Sequence, residues 1–231
     1  MDIGFEKAGF KVAVAIEEDS SCCKTLRKNR PTLKVIEGDI NRISTKNILH
    51  EAGLKPLEAA LVIGGPPCQS FSLAGKRLGL KDPRGKMVLE FIRVVRESLP
   101  VAFVMENVKG MKNWKNGKAI EAILNELNLP ITYKKKTYRY TAQYKVLNAV
   151  NYGVPQYRER VLVIGNRIAQ DFLFPTATCG DYKSDRENLF GLKPYSTVKD
   201  AIGHLPPADK PSETALRVSK TIKNRIKNHG Y

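Results

Sequence analysis

The sequence predicts an α/β protein whose mostly parallel sheet carries helices on both faces. The first observation is that short apolar runs alternate along the chain with segments of helical character. The second is that several of these runs end in polar residues or glycine, and ligands of parallel sheets bind beyond such carboxyl ends. The order strand, helix, strand also implies right-handed crossovers.

The apolar runs with strand character lie at 10–19, 33–39, 59–65, 101–107 and 161–166. The segment SSCCKTLRKN (20–29) predicts a helix with a serine N-cap. A second helix is predicted at 85–99, where apolar residues form a broad stripe at helical spacing. The stripe consists of Met87, Val88, Phe91, Ile92, Val94, Val95 and Leu99.

We divide the chain after residue 166. Residues 1–166 carry all of these elements and form the predicted core. Residues 167–231 are rich in proline, glycine and polar residues, which predicts an irregular basic extension around one short helix, TVKDAIGHL (197–205). The last stretch, RVSKTIKNRIKN (217–228), has basic residues, no acids and no clear apolar period.

Charge favours a polyanionic partner. The chain has 231 residues and a formal net charge of +16 at pH 7. Lysine and arginine that neutralise phosphates release counterions and so gain affinity, whereas the alternative is a solvated basic surface. The segment YKKKTYRY (133–140) interleaves tyrosines with basic residues, and this favours nucleic acid.

Cysteine and histidine usage limits the other chemistry. The four cysteines contain no CxxC pair and the three histidines are scattered, so we expect no metal centre. The first residues do not resemble a signal peptide, and no apolar stretch reaches the roughly 20 residues of a membrane span. We therefore expect a reducing compartment, either cytosol or nucleus.

The carboxyl ends of the predicted strands form the candidate site. They carry the acidic residues 17–19, Asp39, the turn 64–68, and the pair Glu106 and Asn107. Since such ends meet at one edge of a parallel sheet, a thiol and several carboxylates are expected close together there. In IGGPPCQSFS (63–72), glycines permit a sharp turn and prolines stiffen it, so Cys68 is either a positioned nucleophile or part of a structural turn.

Three motifs, in order, resemble those of the DNA (cytosine-5)-methyltransferases. GGPPCQSFS (64–72) resembles the catalytic loop, MENVKGM (105–111) the Glu-Asn-Val motif, and QYRER (156–160) the Gln-x-Arg-x-Arg motif. This order is highly specific, and the resemblance covers most of residues 1–207. It implies the Rossmann-like fold of S-adenosylmethionine-dependent methyltransferases, with a sheet incomplete at its N-terminal strand.

The resemblance assigns catalytic roles. Cys68 would add to carbon 6 of cytosine, and Glu106 would hold or protonate ring nitrogen 3. Arg158 and Arg160 would hold the base oxygen and the developing charge. The alternatives are a surface ion pair between these arginines and Glu159, and an ordinary solvated strand end at Glu106.

The resemblance also implies the ligands. The target carbon lies inside double-stranded DNA, so the base must be flipped, with Gln69 and Ser70 in the loop that closes over it. S-adenosylmethionine would be held by Glu17 at its ribose hydroxyls and by Asp39 and Ile40 at its adenine. Pro67 would lie between cofactor and base.

Two family segments are not found in the sequence. The family opens with a strand and a Phe-x-Gly-x-Gly turn, whereas MDIGFEKAGF resembles the helix after that turn; a target-recognition domain is also not found. We therefore expect either a methyltransferase of the prokaryotic cytosol or nucleoid, acting alone or with a complementing subunit, or a catalytically silent DNA-binding fragment. An RNA-directed relative is a third interpretation, which PPCQSFS disfavours. The DNA target sequence and a paired restriction nuclease stay open.

Overall fold

The computed structural model describes residues 1–67, 86–113, 117–181, 191–205, 216–217 and 219–220. The helices are α1 (Asp2–Lys7), α2 (Ser20–Asn29), α3 (Thr45–Ala52), α4 (Lys86–Ser98), α5 (Gly110–Asn113), α6 (Lys118–Asn128) and α7 (Val198–Ile202). The strands are β1 (Val14–Glu17), β2 (Lys34–Glu37), β3 (Leu61–Gly64), β4 (Ala102–Val108), β5 (Ile131–Tyr133), β6 (Lys136–Tyr138), β7 (Thr141–Asn148), β8 (Glu159–Asn166), β9 (Cys179–Gly180) and β10 (Lys193–Pro194). None of the described helices is long and apolar enough to cross a membrane.

The main sheet has four strands in the order β3-β4-β8-β7. Strands β3 and β4 are parallel, whereas β8 runs antiparallel to both of its neighbours, β4 and β7. Three of its strands therefore share one direction, and the predicted α/β fold with a mostly parallel sheet is confirmed. Strand β8 is reversed, so the sheet is not built from parallel crossovers alone. The reason is that the short segment 149–158 joins the end of β7 to the start of β8, which makes the two neighbouring strands antiparallel.

Strands β1 and β2 form a separate two-stranded parallel sheet. Within the described residues, β1 has no second neighbour and β3 pairs only with β4. All four residues of each of these two strands are half-exposed, while β4 and β8 are largely buried. Among the described residues, β1 and β3 thus each have one unpaired edge, and the incompleteness at the N-terminal strand stays a prediction.

The core lies where α4 and α6 pack against one face of the four-stranded sheet. The predicted helix at 85–99 is α4, and the buried part of its stripe meets the strand residues Phe103, Met105, Val161 and Val163. Burying each such side chain contributes about 1.5–3 kcal/mol. Tyr140 is buried at the rim of this core and donates to the Pro100 carbonyl at 2.6 Å; its burial raises the pKa of the hydroxyl well above its usual range.

The start of α2 differs from the prediction. Asp19, not a serine, is its N-cap: its carboxylate accepts hydrogen bonds from the backbone N–H groups of Ser21 and Cys22. A carboxylate at this position also complements the positive end of the helix dipole, which a serine hydroxyl does not. The short helix expected in the extension is α7, where Thr197 and Asp200 form a capping box.

The segment between α6 and β8 holds three strands that were not predicted from the sequence. Strands β5 and β6 form an antiparallel hairpin, and β7 follows at the edge of the main sheet. The alternating burial of β7 is the period-two pattern of a strand with one solvated face. This alternation in the sequence could have indicated a strand. Because its exposed residues are polar, however, the segment contains no continuous apolar run like those of the other strands.

Candidate active site

The carboxyl ends of β3 and β4 meet the start of β8 at one edge of the sheet. Gly64 pairs with Met105, and Val108 lies opposite Arg160 across the antiparallel pair. The expected convergence of strand ends is therefore found for the glycine-proline turn and for Glu106. The same edge receives Arg160 from a strand far along the chain.

Glu106 and Arg160 form an ion pair. The Nε atom of Arg160 lies 2.6 Å from Oε1 of Glu106, and the two side chains are 25% and 27% exposed, respectively. The two residues are diagonal neighbours across β4 and β8. Glu106 lies directly opposite Leu162, and Arg160 is two residues before Leu162 on β8. A half-buried carboxylate is thus held beside a half-buried guanidinium at this edge of the sheet.

The alternative in which the arginines pair with Glu159 does not match the structure. Glu159 binds Lys109, whose Nζ lies 2.7 Å from Oε1. Arg158 is exposed, and its backbone N–H donates to Asn148. Arg158 and Arg160 together line a cavity of about 270 Å³, whose other walls are Leu147, Ala149, Tyr152 and Pro175.

Asn107 fixes the turn beside this ion pair, a role that was not predicted from the sequence. Its side chain is 3% exposed, and Nδ2 donates to the Pro66 carbonyl at 3.2 Å. Its Oδ1 accepts the Val108 N–H at 2.8 Å. The turn that leads to Cys68 is therefore tied to the end of β4. Cys68, Gln69 and Ser70 themselves lie outside the described residues.

Gly64 is required by close packing at the same turn. A Cβ atom at this position would lie 2.6 Å from the ring of Phe91, which belongs to the core face of α4. The backbone of β3 thus approaches α4 more closely than any side chain would allow. The position of the turn depends on this approach.

We expect Gly64→Ala to destabilise the fold by about 1–3 kcal/mol, because the Phe91 ring must move out of a filled core. Urea denaturation followed by circular dichroism measures this change. Combining it with Phe91→Leu should recover part of the loss, since the smaller side chain vacates the contested space. Unchanged stability of Gly64→Ala would contradict the packing argument.

The acidic residues of the first two strands also come together. Glu17 ends β1, and its Oε1 accepts the backbone N–H groups of Glu18 and Asp19 at 2.9 and 3.0 Å. Asp39 caps a 3-10 turn at Ile40–Arg42, and the Glu17 carbonyl accepts the Gly38 N–H from the chain that follows β2. The Asn41 backbone N–H donates to Asp39 at 2.9 Å and holds the pKa of this carboxyl below its usual range.

Arg93 joins this acidic side of the site to α4, and nothing in the sequence had singled it out. Its guanidinium donates to the carbonyls of Ile40 and Ile43 at 3.1 and 3.0 Å and to Thr45 Oγ1 at 2.8 Å. Glu90, one helical turn away, accepts from its Nε at 2.7 Å. The turn that carries Ile40 therefore keeps a fixed position relative to α4.

No group of three or more histidine, cysteine, aspartate or glutamate side chains in the described part of the chain is arranged to hold a metal ion. The described side chains at this edge include carboxylates and guanidinium groups, and the turn at 64–67 precedes Cys68. Pro67, the last described residue of that turn, is exposed at the edge.

The fold of this chain is similar to those of solved proteins of the Rossmann-like methyltransferase class. An Escherichia coli prophage protein described as a DNA modification methyltransferase matches with a TM-score of 0.64 and 27% identity, over 87% of this chain and 50% of its own. Spodoptera frugiperda DNMT2 shares the fold, with a TM-score of 0.52 and 21% identity over 74% of this chain and 48% of its own. The fold class is therefore that of a Rossmann-like methyltransferase.

The chain belongs to the C-5 cytosine-specific DNA methylase family, whose model matches residues 1–230. Type II methyltransferase M.AquIA of Picosynechococcus sp. is 63% identical over 234 residues, covering 100% of this chain and 94% of the relative. Type II methyltransferase M.SacI of Streptomyces achromogenes is 36% identical over 88% of this chain, which spans 51% of that relative. The chain is therefore a member of a DNA cytosine methylase family and has Type II methyltransferases as relatives, of several of which it spans about half the length.

Proposed function

We propose that this chain supplies the catalytic core of an enzyme that methylates carbon 5 of cytosine in double-stranded DNA, with S-adenosylmethionine as donor. The observation that carries the proposal is the ion pair between Glu106 and Arg160, placed beside the turn that leads to Cys68. Family membership supports the same reaction.

The reaction needs a nucleophile because carbon 5 of cytosine is unreactive by itself. The Cys68 thiolate adds to carbon 6, and the ring electrons shift so that carbon 5 becomes an enamine carbon. S-adenosylmethionine, when bound, supplies the electrophilic methyl group that carbon 5 takes up. Loss of the carbon-5 proton to a base and departure of the Cys68 thiolate then restore the aromatic ring.

Glu106 and Arg160 act on the ring as it changes charge. Glu106 holds or protonates ring nitrogen 3, which draws electrons away from carbon 6 as the thiolate attacks. Arg160 is already anchored by Glu106, so its guanidinium is positioned for the base oxygen without reorganisation. Arg158 lines a cavity together with Arg160 and is proposed to add a second positive charge near the base.

The base reaches these groups only when it leaves the duplex stack. We propose that Gln69 and Ser70 belong to the loop that closes over the flipped base. The net charge of +16 accommodates the phosphates on either side of the flipped nucleotide.

The acidic side of the site suits the cofactor. The Glu17 carboxylate is fixed at the end of β1 by two backbone N–H groups, which leaves Oε2 available to the ribose hydroxyls. Asp39 and the apolar Ile40 stand on the neighbouring turn and are proposed to hold the adenine ring, and Pro67 is proposed to lie between cofactor and base. Arg93 keeps the Ile40 turn in place.

We further propose that a partner chain contributes a strand between β1 and β3. Both strands are parallel to their known neighbours, short and half-exposed, and in the described residues neither has a partner on its other edge. An unpaired edge binds another strand readily. The family fold places a central strand with a glycine-rich turn in this position, and the enzyme would be complete only with it.

The Type II methyltransferase relatives support a place in a bacterial restriction-modification system. We propose the bacterial cytoplasm or nucleoid as its location, where its DNA substrate lies. The extension at 167–231 is proposed to lead toward the part of the enzyme that reads the DNA sequence.

We expect Glu106→Gln to lower the methylation rate at least about tenfold while DNA affinity changes little, because the carboxylate acts on the reacting ring. Transfer of labelled methyl groups to duplex DNA gives the rate, and fluorescence anisotropy gives the affinity. Glu159→Gln is the matched control: it removes an exposed carboxylate that binds Lys109 and should leave the rate unchanged. Normal methylation by Glu106→Gln would exclude Glu106 from the mechanism.

A further inference from the structure

The β5–β6 hairpin lies at the edge of the sheet opposite the active site. The chain leaves it directly into β7, whose first residue, Thr141, pairs with Asn166 at the far end of β8. Arg160 lies near the other end of β8. Six residues of strand separate the two ends of this ladder, which is roughly 20 Å. The hairpin is therefore outside the catalytic edge.

The hairpin carries a cluster of positive charges. Lys134, Lys135, Lys136 and Arg139 are exposed, and residues 127–158 contain no aspartate or glutamate. Among the residues that the structure describes, no carboxylate forms an ion pair with any of these four. By contrast, Arg27 in α2 and Arg30 at the C-terminal cap of α2 each form ion pairs with carboxylates. The hairpin charges are thus available to an external anion.

The tip of the hairpin has a backbone conformation that lysine rarely adopts. Tyr133 pairs with Lys136, so Lys134 and Lys135 form a two-residue loop, with φ angles of 47° and 64°. Such a loop favours Asn-Gly, because both positions need positive φ. Lysine at both positions makes the loop less stable than Asn-Gly would. Backbone strain of this kind is typical of functional segments.

The base of the hairpin is held firmly. Tyr140, two residues beyond β6, donates to the Pro100 carbonyl, and the Arg167 guanidinium lies 5.9 Å from the centre of the Tyr138 ring. Arg167 also donates to the carbonyls of Leu99 and Leu57. The charges are therefore presented on a fixed scaffold, which lowers the entropic cost of binding.

We propose that the β5–β6 hairpin binds the phosphate backbone of duplex DNA outside the segment that enters the active site. This inference rests on the proposed function, in which DNA is the substrate. Lysines at the tip contact phosphates without reading bases, so the hairpin holds the enzyme on DNA independently of its target sequence. Its position opposite the catalytic edge means that it contacts either a bent continuation of the same duplex or a second duplex.

The test is the double variant Lys134→Asn with Lys135→Gly. It removes two charges and also installs the preferred loop residues, so the variant should fold at least as stably as the parent chain. Anisotropy titrations of a 30-base-pair duplex without a target site, repeated at several salt concentrations, give the slope of log K against log[salt]. The slope should fall in magnitude by about 1.8, because each phosphate that the variant no longer neutralises lowers it by about 0.9.

The matched control is Lys24→Gln with Lys28→Gln, two exposed lysines of α2. It has the same net charge as the hairpin variant and should keep the parent slope. Equal slopes for the parent and the hairpin variant would overturn the proposal, as would an equal decrease in the control, which would indicate an effect of net charge alone. An unchanged slope together with weaker binding of a partner chain would make the hairpin a protein interface and would also overturn it.

The single-turnover methylation rate at saturating DNA separates this inference from the proposed function. The hairpin variant should methylate at the parent rate under those conditions, because its substitutions are remote from Glu106. If the parent itself transfers no methyl group with its partner present, the proposed function fails, while the salt slopes still decide the role of the hairpin.

Discussion

Cys68→Ser is expected to abolish covalent trapping of cytosine and to reduce methylation at least about a thousandfold, because a hydroxyl at neutral pH is far less nucleophilic than a thiolate. Duplex DNA containing 5-fluorocytosine is the probe, with S-adenosylmethionine and the partner chain present. Fluorine cannot leave carbon 5 as a proton does, so the enzyme stays attached to carbon 6. The parent protein should give a complex that resists denaturation.

Cys22→Ser is the control for this experiment. Cys22 is an exposed free thiol on α2, so the substitution removes an accessible cysteine elsewhere and should leave trapping intact. Equal trapping by Cys68→Ser and the parent would remove Cys68 from the mechanism. Loss of trapping in both variants would point to a general need for reduced thiols.

The second large effect concerns the open edges of β1 and β3. We expect the 231-residue chain to bind S-adenosylmethionine at least about a hundredfold more weakly alone than with a chain that fills this gap. A glycine-rich turn after the added strand donates backbone N–H groups to the charged end of the cofactor, and two such bonds contribute about 3–6 kcal/mol. Titration calorimetry measures both affinities.

The same strand can also be supplied on the chain itself. The Met1 side chain lies near Gly65: a Cβ atom on that glycine would be 3.7 Å from Met1 Cε. A strand and a Phe-x-Gly-x-Gly turn joined ahead of Met1 would therefore enter at the active edge and should restore binding. The matched control replaces both glycines of that turn with valine and should not. Micromolar binding by the chain alone would show that its own residues complete the pocket.

Much of the fold was predictable because its signals are local. Apolar runs at strand length identified β1, β2, β3, β4 and β8, and the helical stripe identified α4 to within one residue at each end. The cap of α2 was assigned to the wrong residue, because serine and aspartate are both good N-caps and adjacent in the sequence. The hairpin β5–β6 lacks glycine and asparagine at its turn, so the usual sequence signal is missing.

The site was predictable only in part, because its contacts join distant segments. The strand ends and the family motifs indicated Glu106 and Arg160, but their pairing depends on the register between β4 and β8. Glu159 is adjacent to both arginines in the sequence, and only the fold places Lys109 beside it instead. Arg93 was not predictable, since a lone arginine in an amphipathic helix has no pattern that reveals bonds to backbone carbonyls.

The alternation along β4 has a consequence for how this protein can change over generations. Glu106 faces the ion pair with Arg160, whereas the next residue, Asn107, faces the other way and is buried. Deleting or inserting one residue in β4 would exchange the two, placing an unpaired carboxylate in the interior and an amide in the cleft. Lineages should therefore accumulate substitutions but no length changes in β4 and β8.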